Sequence, residues 1–203
     1  GAQACRLAAG AATAGADAVL AGPPLYFRPK DLPALADWLA LVGRAAGGTP
    51  LYYYHIPVLT HVDLPMHELL AVADDRGVHL AGIKFTYENL EDFRLCLARG
   101  DREMLFGRDE STYNYAAPLY RRLWEAFDAG DLETARTCQS RSIAMIQALR
   151  RAGHGVAAGK ALMRILGVDC GPCRAPLAMP ADDTLAQFEH DLREIGYFDW
   201  GRP

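Results

Sequence analysis

Short, largely apolar runs recur along the first half of this chain, alternating with amphipathic stretches of helical spacing. The runs are Asp17–Gly22 (DAVLAG), Pro50–Pro57 (PLYYYHIP), His79–Phe85 (HLAGIKF) and Met104–Gly107 (MLFG). A strand that shows no polar alternation is one expected to be buried on both faces, as in a parallel sheet covered by helices. Helices are expected over Ala2–Ala16, Leu32–Gly47, Leu64–Arg76 and Asn89–Arg99. Asp31 and Asp63 are placed to cap the second and third, and Glu91 and Asp92 suit the positive end of the fourth. The αβαβαβαβ rhythm predicts an α/β fold. Beyond it the chain reads as wholly helical, over Leu119–Ala129, Leu132–Arg151, Val156–Leu166 and Thr184–Ile195. One junction breaks the rhythm. After MLFG, Glu110 stands directly before Ser111-Thr112-Tyr113-Asn114-Tyr115, with no room for the crossover that two parallel strands need.

Composition sets the outer limits. The 203 residues carry a net charge of −4, with 51% hydrophobic and 23% charged residues, which suits a folded globular chain. No apolar run is long enough to span a bilayer. No basic block invites nucleic acid, and no charged leader with a cleavage site opens the chain. The five cysteines are odd in number. Cys5, Cys96 and Cys138 sit in helical stretches and read as reduced core residues, which points to the cytoplasm. Cys170-Gly171-Pro172-Cys173 spells a redox motif, but such a motif needs a helix starting at its first Cys. Arg174-Ala175-Pro176 follows instead, so these read as ordinary loop cysteines, and a lone CxxC is only half a zinc site.

Lysine is rare: Lys30, Lys84 and Lys160 stand against 18 Arg. Lys84 lies inside an apolar strand. There an ammonium loses hydration, which favours the neutral amine. A neutral amine attacks a carbonyl to give a Schiff base, whose iminium accepts electrons from a breaking carbon–carbon bond. The same position also suits a lysine snorkelling from a strand end. Gly82 beside it permits close approach of a ligand or backbone. Tyr54, at the end of its own strand, is placed for proton transfer or for core packing, while Tyr52 and Tyr53 read as packing residues. His55 could orient a hydroxyl or close the strand. Asp109 and Glu110 suit polyol hydroxyls or a solvated loop.

Taken together, YYYHIP (Tyr52–Pro57), GIKFT (Gly82–Thr86), FGRDE (Phe106–Glu110), STYNY (Ser111–Tyr115), GHGVAAGKALM and GPCRAPL resemble the N-acetylneuraminate lyase branch of the pyruvate-dependent class I aldolases. That family also holds dihydrodipicolinate synthase. The resemblance implies a (β/α)8 barrel with extra C-terminal helices. It implies cleavage of N-acetylneuraminate to N-acetylmannosamine and pyruvate. Lys84 takes the place of the Schiff-base lysine and Tyr54 that of the proton-transferring tyrosine. Thr86, Gly107, Asp109, Glu110 and Ser111 match residues lining the polyol site. Tyr26 in PPLYFRP matches a tyrosine that reaches a neighbouring subunit's site, and the family suggests a homotetramer. No metal or separate cofactor is implied, since the covalent lysine serves. Synthases carry an Arg two residues after the strand-end Pro; Leu59 stands there, which favours the lyase branch. A whole barrel takes about 250 residues. The expectation is therefore an incomplete barrel, strands four to seven plus the C-terminal helices, without the loop that holds the pyruvate carboxylate. The break at Glu110–Ser111 matches a missing helix and most of a strand. Residues 1–118 would form the partial barrel, and residues 119–203 its last helix and a helical extension of the same domain. Two other readings stay open: a truncated, non-catalytic binding or assembly protein, and a related pyruvate aldolase for another 2-keto sugar acid.

Overall fold

A computed structural model of the chain describes residues 1–107, 112–153 and 155–201. The chain divides into two compact units, Gly1–Arg108 and Asp109–Pro203.

In the first unit, helices α1 (Ala2–Thr13), α2 (Leu32–Ala45), α4 (Met66–Asp75) and α5 (Leu90–Arg99) alternate with strands β1 (Val19–Ala21), β2 (Leu51–His55), β3 (Leu80–Phe85) and β4 (Glu103–Phe106). A short α3 (Pro57–Thr60) follows β2 directly. The four strands form one parallel sheet in the order β1-β2-β3-β4. Each crossover carries a helix, so consecutive strands become neighbours. The core lies between the sheet and its helices. Leu35, Leu39, Met66 and Leu69 from the helices meet Tyr53, Ile83 and Phe85 from the strands, all fully buried. Burying one such side chain stabilises by about 1.5–3 kcal/mol.

Two sequence expectations need correction here. The strands were expected to be covered on both faces. The opposite face instead leaves Leu20 47% and Leu105 45% exposed, because the described helices of this unit pack on one side only. The expected cap Asp63 does not cap α4 either. Pro65 occupies the N-cap position with no side-chain oxygen to offer, so the helix starts further on. Its free N–H groups, those of Met66 and His67, donate to the buried carboxylate of Asp92 at 2.9 and 3.1 Å. Asp63 accepts from the Tyr87 hydroxyl at 2.8 Å. Asp31 caps α2 as the sequence indicates, accepting from Ala34 N at 2.8 Å, whereas Asn89, read from sequence as the first helical residue, is instead the cap of α5 and accepts from Asp92 N at 3.1 Å.

The second unit is helical: α6 (Ala117–Asp128), α7 (Leu132–Ala152), α8 (Gly155–Ile165), α9 (Asp182–Glu194) and the short α10 (Tyr197–Trp200). Its core gathers Met145, Leu149, Leu162, Phe188, Leu192 and Tyr197, and the Tyr197 hydroxyl donates to the Tyr115 carbonyl at 2.6 Å. Thr112–Asn114 forms a 3-10 turn, so STYNY is not a strand end. The CGPC segment is loop, as its prolines require. Lys160 Nζ organises it by donating to the carbonyls of Cys170 and Pro172 at 3.0 and 2.9 Å. Cys170 and Cys173 are free thiols, as are Cys5, Cys96 and Cys138. Among the described residues no helix is long and apolar enough to cross a membrane.

Candidate active site

The pairing of β2 with β3 sets Tyr54 beside Lys84, and β3 with β4 sets Lys84 beside Leu105. Paired residues of parallel strands point to the same side, so the lysine and the tyrosine share the face that the helices leave bare. The Lys84 ammonium nitrogen lies 4.3 Å from the centroid of the Tyr54 ring, within cation–π range. Both side chains are half-buried. The loss of hydration expected for Lys84 is therefore partial, because the described helices of the first unit do not cover its face.

Thr86 and Gly107 join this pair. Thr86 follows β3 and its N–H donates to the His55 carbonyl at 2.8 Å; Gly107 follows β4 and donates to the Phe85 carbonyl at 2.9 Å. The ladder thus continues one residue past each strand and fixes both residues at the C-terminal ends. A side chain at position 107 would stand 2.7 Å from Thr86 Oγ1 and 3.2 Å from Lys84 Cε, so only glycine leaves the two side chains their positions. Thr86 Oγ1 is buried without a hydrogen-bond partner among the described residues. A buried hydroxyl in that state is costly unless a ligand or water completes it.

Asp109, Glu110 and Ser111 lie outside the described residues. Tyr26 is 89% exposed on the loop after β1, its ring edge-on to Phe27 at 4.8 Å. His55 is the last residue of β2, as the strand-closing reading allowed, and its side chain does not face the lysine. It alternates with Tyr54 and so points to the helix-covered face, fully buried, 5.0 Å from the Phe85 ring and 5.5 Å from the Tyr87 ring. Burial pushes its imidazole down to about 4, more than Asp92 and Asp63 pull it back. Tyr53, read from sequence as packing, is fully buried on that same side, and burial pushes its phenol well up.

Two features escaped the sequence reading. Asp92 holds His67 Nδ1 at 2.6 Å besides capping α4; nothing in a linear sequence ties residue 92 to residue 66. Tyr52 donates to the Glu103 carboxylate at 2.5 Å on the lysine-bearing face. The strand alternation that puts Tyr52 in phase with Tyr54 was the signal that could have found it. Among the described residues, no three His, Cys, Asp or Glu side chains cluster as a metal site would.

A parallel β/α layer thus brings an amine and a phenol together on one face, near the C-terminal ends of adjacent strands. Comparison with known proteins shows the family. The chain belongs to the dihydrodipicolinate synthetase family, whose sequence profile matches residues 1–195. It is 33% identical over 213 residues to rat N-acetylneuraminate lyase, covering 96% of this chain and 67% of the rat protein. It is 39% identical over 149 residues to N-acetylneuraminate lyase B of Xenopus laevis, covering 66% of this chain and 56% of that protein. Among solved structures, the Proteus mirabilis N-acetylneuraminate lyase superposes with a TM-score of 0.84 at 31% identity, over 95% of this chain and 70% of that one. The sialic acid aldolase of Aliivibrio salmonicida gives the same TM-score and identity, over 95% and 69%. The chain thus spans between about half and about two thirds of the length of these curated relatives.

Proposed function

We propose that this chain carries the Schiff-base machinery of a class I aldolase that cleaves N-acetylneuraminate to N-acetylmannosamine and pyruvate. The observation that carries the reading is the Lys84–Tyr54 pair, with the Thr86 hydroxyl, unpartnered among the described residues, and Gly107, which bears no side chain, beside it. The substrate is supported by relatives named N-acetylneuraminate lyase at 31–39% identity.

In the proposed reaction the neutral Lys84 amine adds to the C2 ketone of the open-chain sugar acid, and the ketone oxygen leaves as water. Tyr54 relays the proton of the C4 hydroxyl, passing its own phenolic proton to the substrate carboxylate as it accepts. The C3–C4 bonding electrons move into the iminium, the aldehyde departs, and an enamine remains on Lys84. Protonation at C3 and addition of water then release pyruvate and the free amine. The iminium is the electron sink, so the reaction calls on no cofactor beyond the covalent lysine. Thr86 and Gly107 line the sugar's end of the site, and the same proposal assigns polyol recognition to Asp109, Glu110 and Ser111, which lie outside the described residues. Leu59, exposed on α3, leaves no cation where a synthase would hold a second carboxylate.

In the same proposal the four strands are the fourth to seventh of a (β/α)8 barrel, residues 119–203 supply its last helix and a helical extension, and Tyr26 reaches a neighbouring subunit of a tetramer. A second reading, a non-catalytic binding or assembly protein, draws on the exposure of Leu20 and Leu105 on the bare sheet face. Borohydride reduction in the presence of pyruvate, followed by peptide mass mapping, separates the two. A reduced pyruvyl adduct on the Lys84 peptide, absent from Lys84→Ala, is expected. A folded chain that gives no adduct overturns the aldolase reading in favour of the binding protein.

A further inference from the structure

The segments that leave the C-terminal ends of β2 and β3 are tied to each other by side chains as well as by the strand ladder. Past β3 the chain goes on alternating between the two faces of the sheet. Thr86 shares the face of Lys84, where both would meet a side chain at position 107. Tyr87 turns to the other face. Its ring stands edge-on to the buried His55 ring, with centroids 5.5 Å apart, and its hydroxyl donates to Asp63 Oδ2 at 2.8 Å. Asp63 lies between α3 and α4, in the segment that follows β2. The bond to Asp63, together with its charge, pushes the phenol up, so Tyr87 remains the donor. A second tie runs alongside: Asp92, in the first turn of α5, accepts from the N–H groups of Met66 and His67. That tie fixes the start of a helix, whereas the Asp63–Tyr87 bond fixes the residue directly after Thr86. Thr86 needs such support. Its N–H is held by the His55 carbonyl at 2.8 Å, but its buried hydroxyl has no partner among the described residues, so its direction depends on the backbone at either side.

We infer that Asp63 and Tyr87 form a clasp between the two strand-end segments that positions the Thr86 hydroxyl for the sugar chain of the substrate. The inference rests on the Schiff-base reading, in which Thr86 lines the sugar's end of the site. Tyr87 and Asp63 are positioning residues, since they act through the peptide that joins Tyr87 to Thr86. Lys84 is held by the ladder on both sides, to β2 and to β4, and does not depend on the clasp.

The test separates sugar binding from amine chemistry. Pyruvate release from N-acetylneuraminate gives KM and kcat, and borohydride trapping of pyruvate on the Lys84 peptide reads the amine. In Tyr87→Phe and in Asp63→Ala the KM is expected to rise about three- to tenfold, the range that one net hydrogen bond spans. Trapping should keep its native rate, and kcat should change little, as for an interaction made alike in ground and transition states. Asp63→Asn, whose amide oxygen still accepts from the phenol, should keep the native KM. The variant carrying both Tyr87→Phe and Asp63→Ala should be no worse than either single one, because the two remove the same bond. Asp63→Ala, at an exposed position, serves if Tyr87→Phe does not fold. A native KM in the folded variants, additive losses in the double variant, or trapping that falls together with cleavage overturns the clasp and leaves the aldolase reading standing. A native chain that traps pyruvate but releases none from N-acetylneuraminate overturns the sugar assignment and the clasp with it. One that traps no pyruvate overturns the Schiff-base reading itself.

Discussion

Lys84 Nζ lies 4.3 Å from the centre of the Tyr54 ring because β2 and β3 run parallel with these two residues in register. The amine and the phenol come from positions thirty residues apart in sequence, yet one ladder fixes their spacing. A shift of one residue in that register would send one of them to the opposite face.

Their proposed tasks are separable. Tyr54→Phe removes the proton acceptor and keeps the ring under the ammonium. Trapping of pyruvate on Lys84 should persist, while cleavage of N-acetylneuraminate falls by a factor of about 100 to 10,000, the usual contribution of a positioned acid–base group. Mass mapping beside a pyruvate-release assay reads the two steps independently. Loss of both together would mean that Tyr54 holds the lysine rather than moves a proton.

Gly107 is the cheapest place to disturb the site without touching a reacting group. In Gly107→Ala the new methyl group presses on Thr86 Oγ1 and on Lys84 Cε. The lysine must move, and adduct formation should drop about tenfold or more, since small displacements of a reacting group are costly. The thermal midpoint should change little, because the residue ends an edge strand. A normal trapping rate would show that the lysine tolerates the displacement.

His55 makes stability depend on pH. Its imidazole is held at about 4 by burial, against an ordinary value of 6.5. Between those values the unfolded chain binds a proton that the folded chain refuses, so stability falls as pH falls through that window. The loss amounts to about 3 kcal/mol for the whole interval. Urea midpoints followed from neutral pH to about pH 4 should decline, and His55→Leu should flatten the decline. Equal slopes in both proteins would assign the acid sensitivity to other groups.

Asp92 supports α4 from another helix. Asp92→Ala leaves the N–H groups of Met66 and His67 without their acceptor, one of them buried. That should cost about 1–3 kcal/mol in urea unfolding. Asp92→Asn, which still accepts through its amide oxygen, should recover part of the loss.

Much of this architecture is legible in sequence because it is local. The runs DAVLAG, LYYYH, LAGIKF and MLF announce the four strands, and Asp31 announces its helix, since capping and periodicity depend on neighbours a few residues away. Lys84 and Tyr54 are legible because each ends or interrupts an apolar strand whose register can be counted. Asp63 misled for the same local reason: it precedes a helical pattern, but Pro65 delays the helix and Asp92 supplies the cap from α5.

What the sequence by itself determined is the alternation of strands and helices and the presence of one lysine where an apolar strand should carry none. Only the tertiary structure decided that Tyr54 rather than His55 faces that lysine, that Tyr52 reaches across Gly82 to Glu103, and that the described helices of the first unit do not cover the lysine's face. The reason is physical. Side-chain direction along a strand alternates by residue, but which face meets the helices is set by the packing of α2, α4 and α5 on Tyr53, Ile83 and Phe85. That packing brings together residues far apart in sequence, and no short-range pattern encodes it.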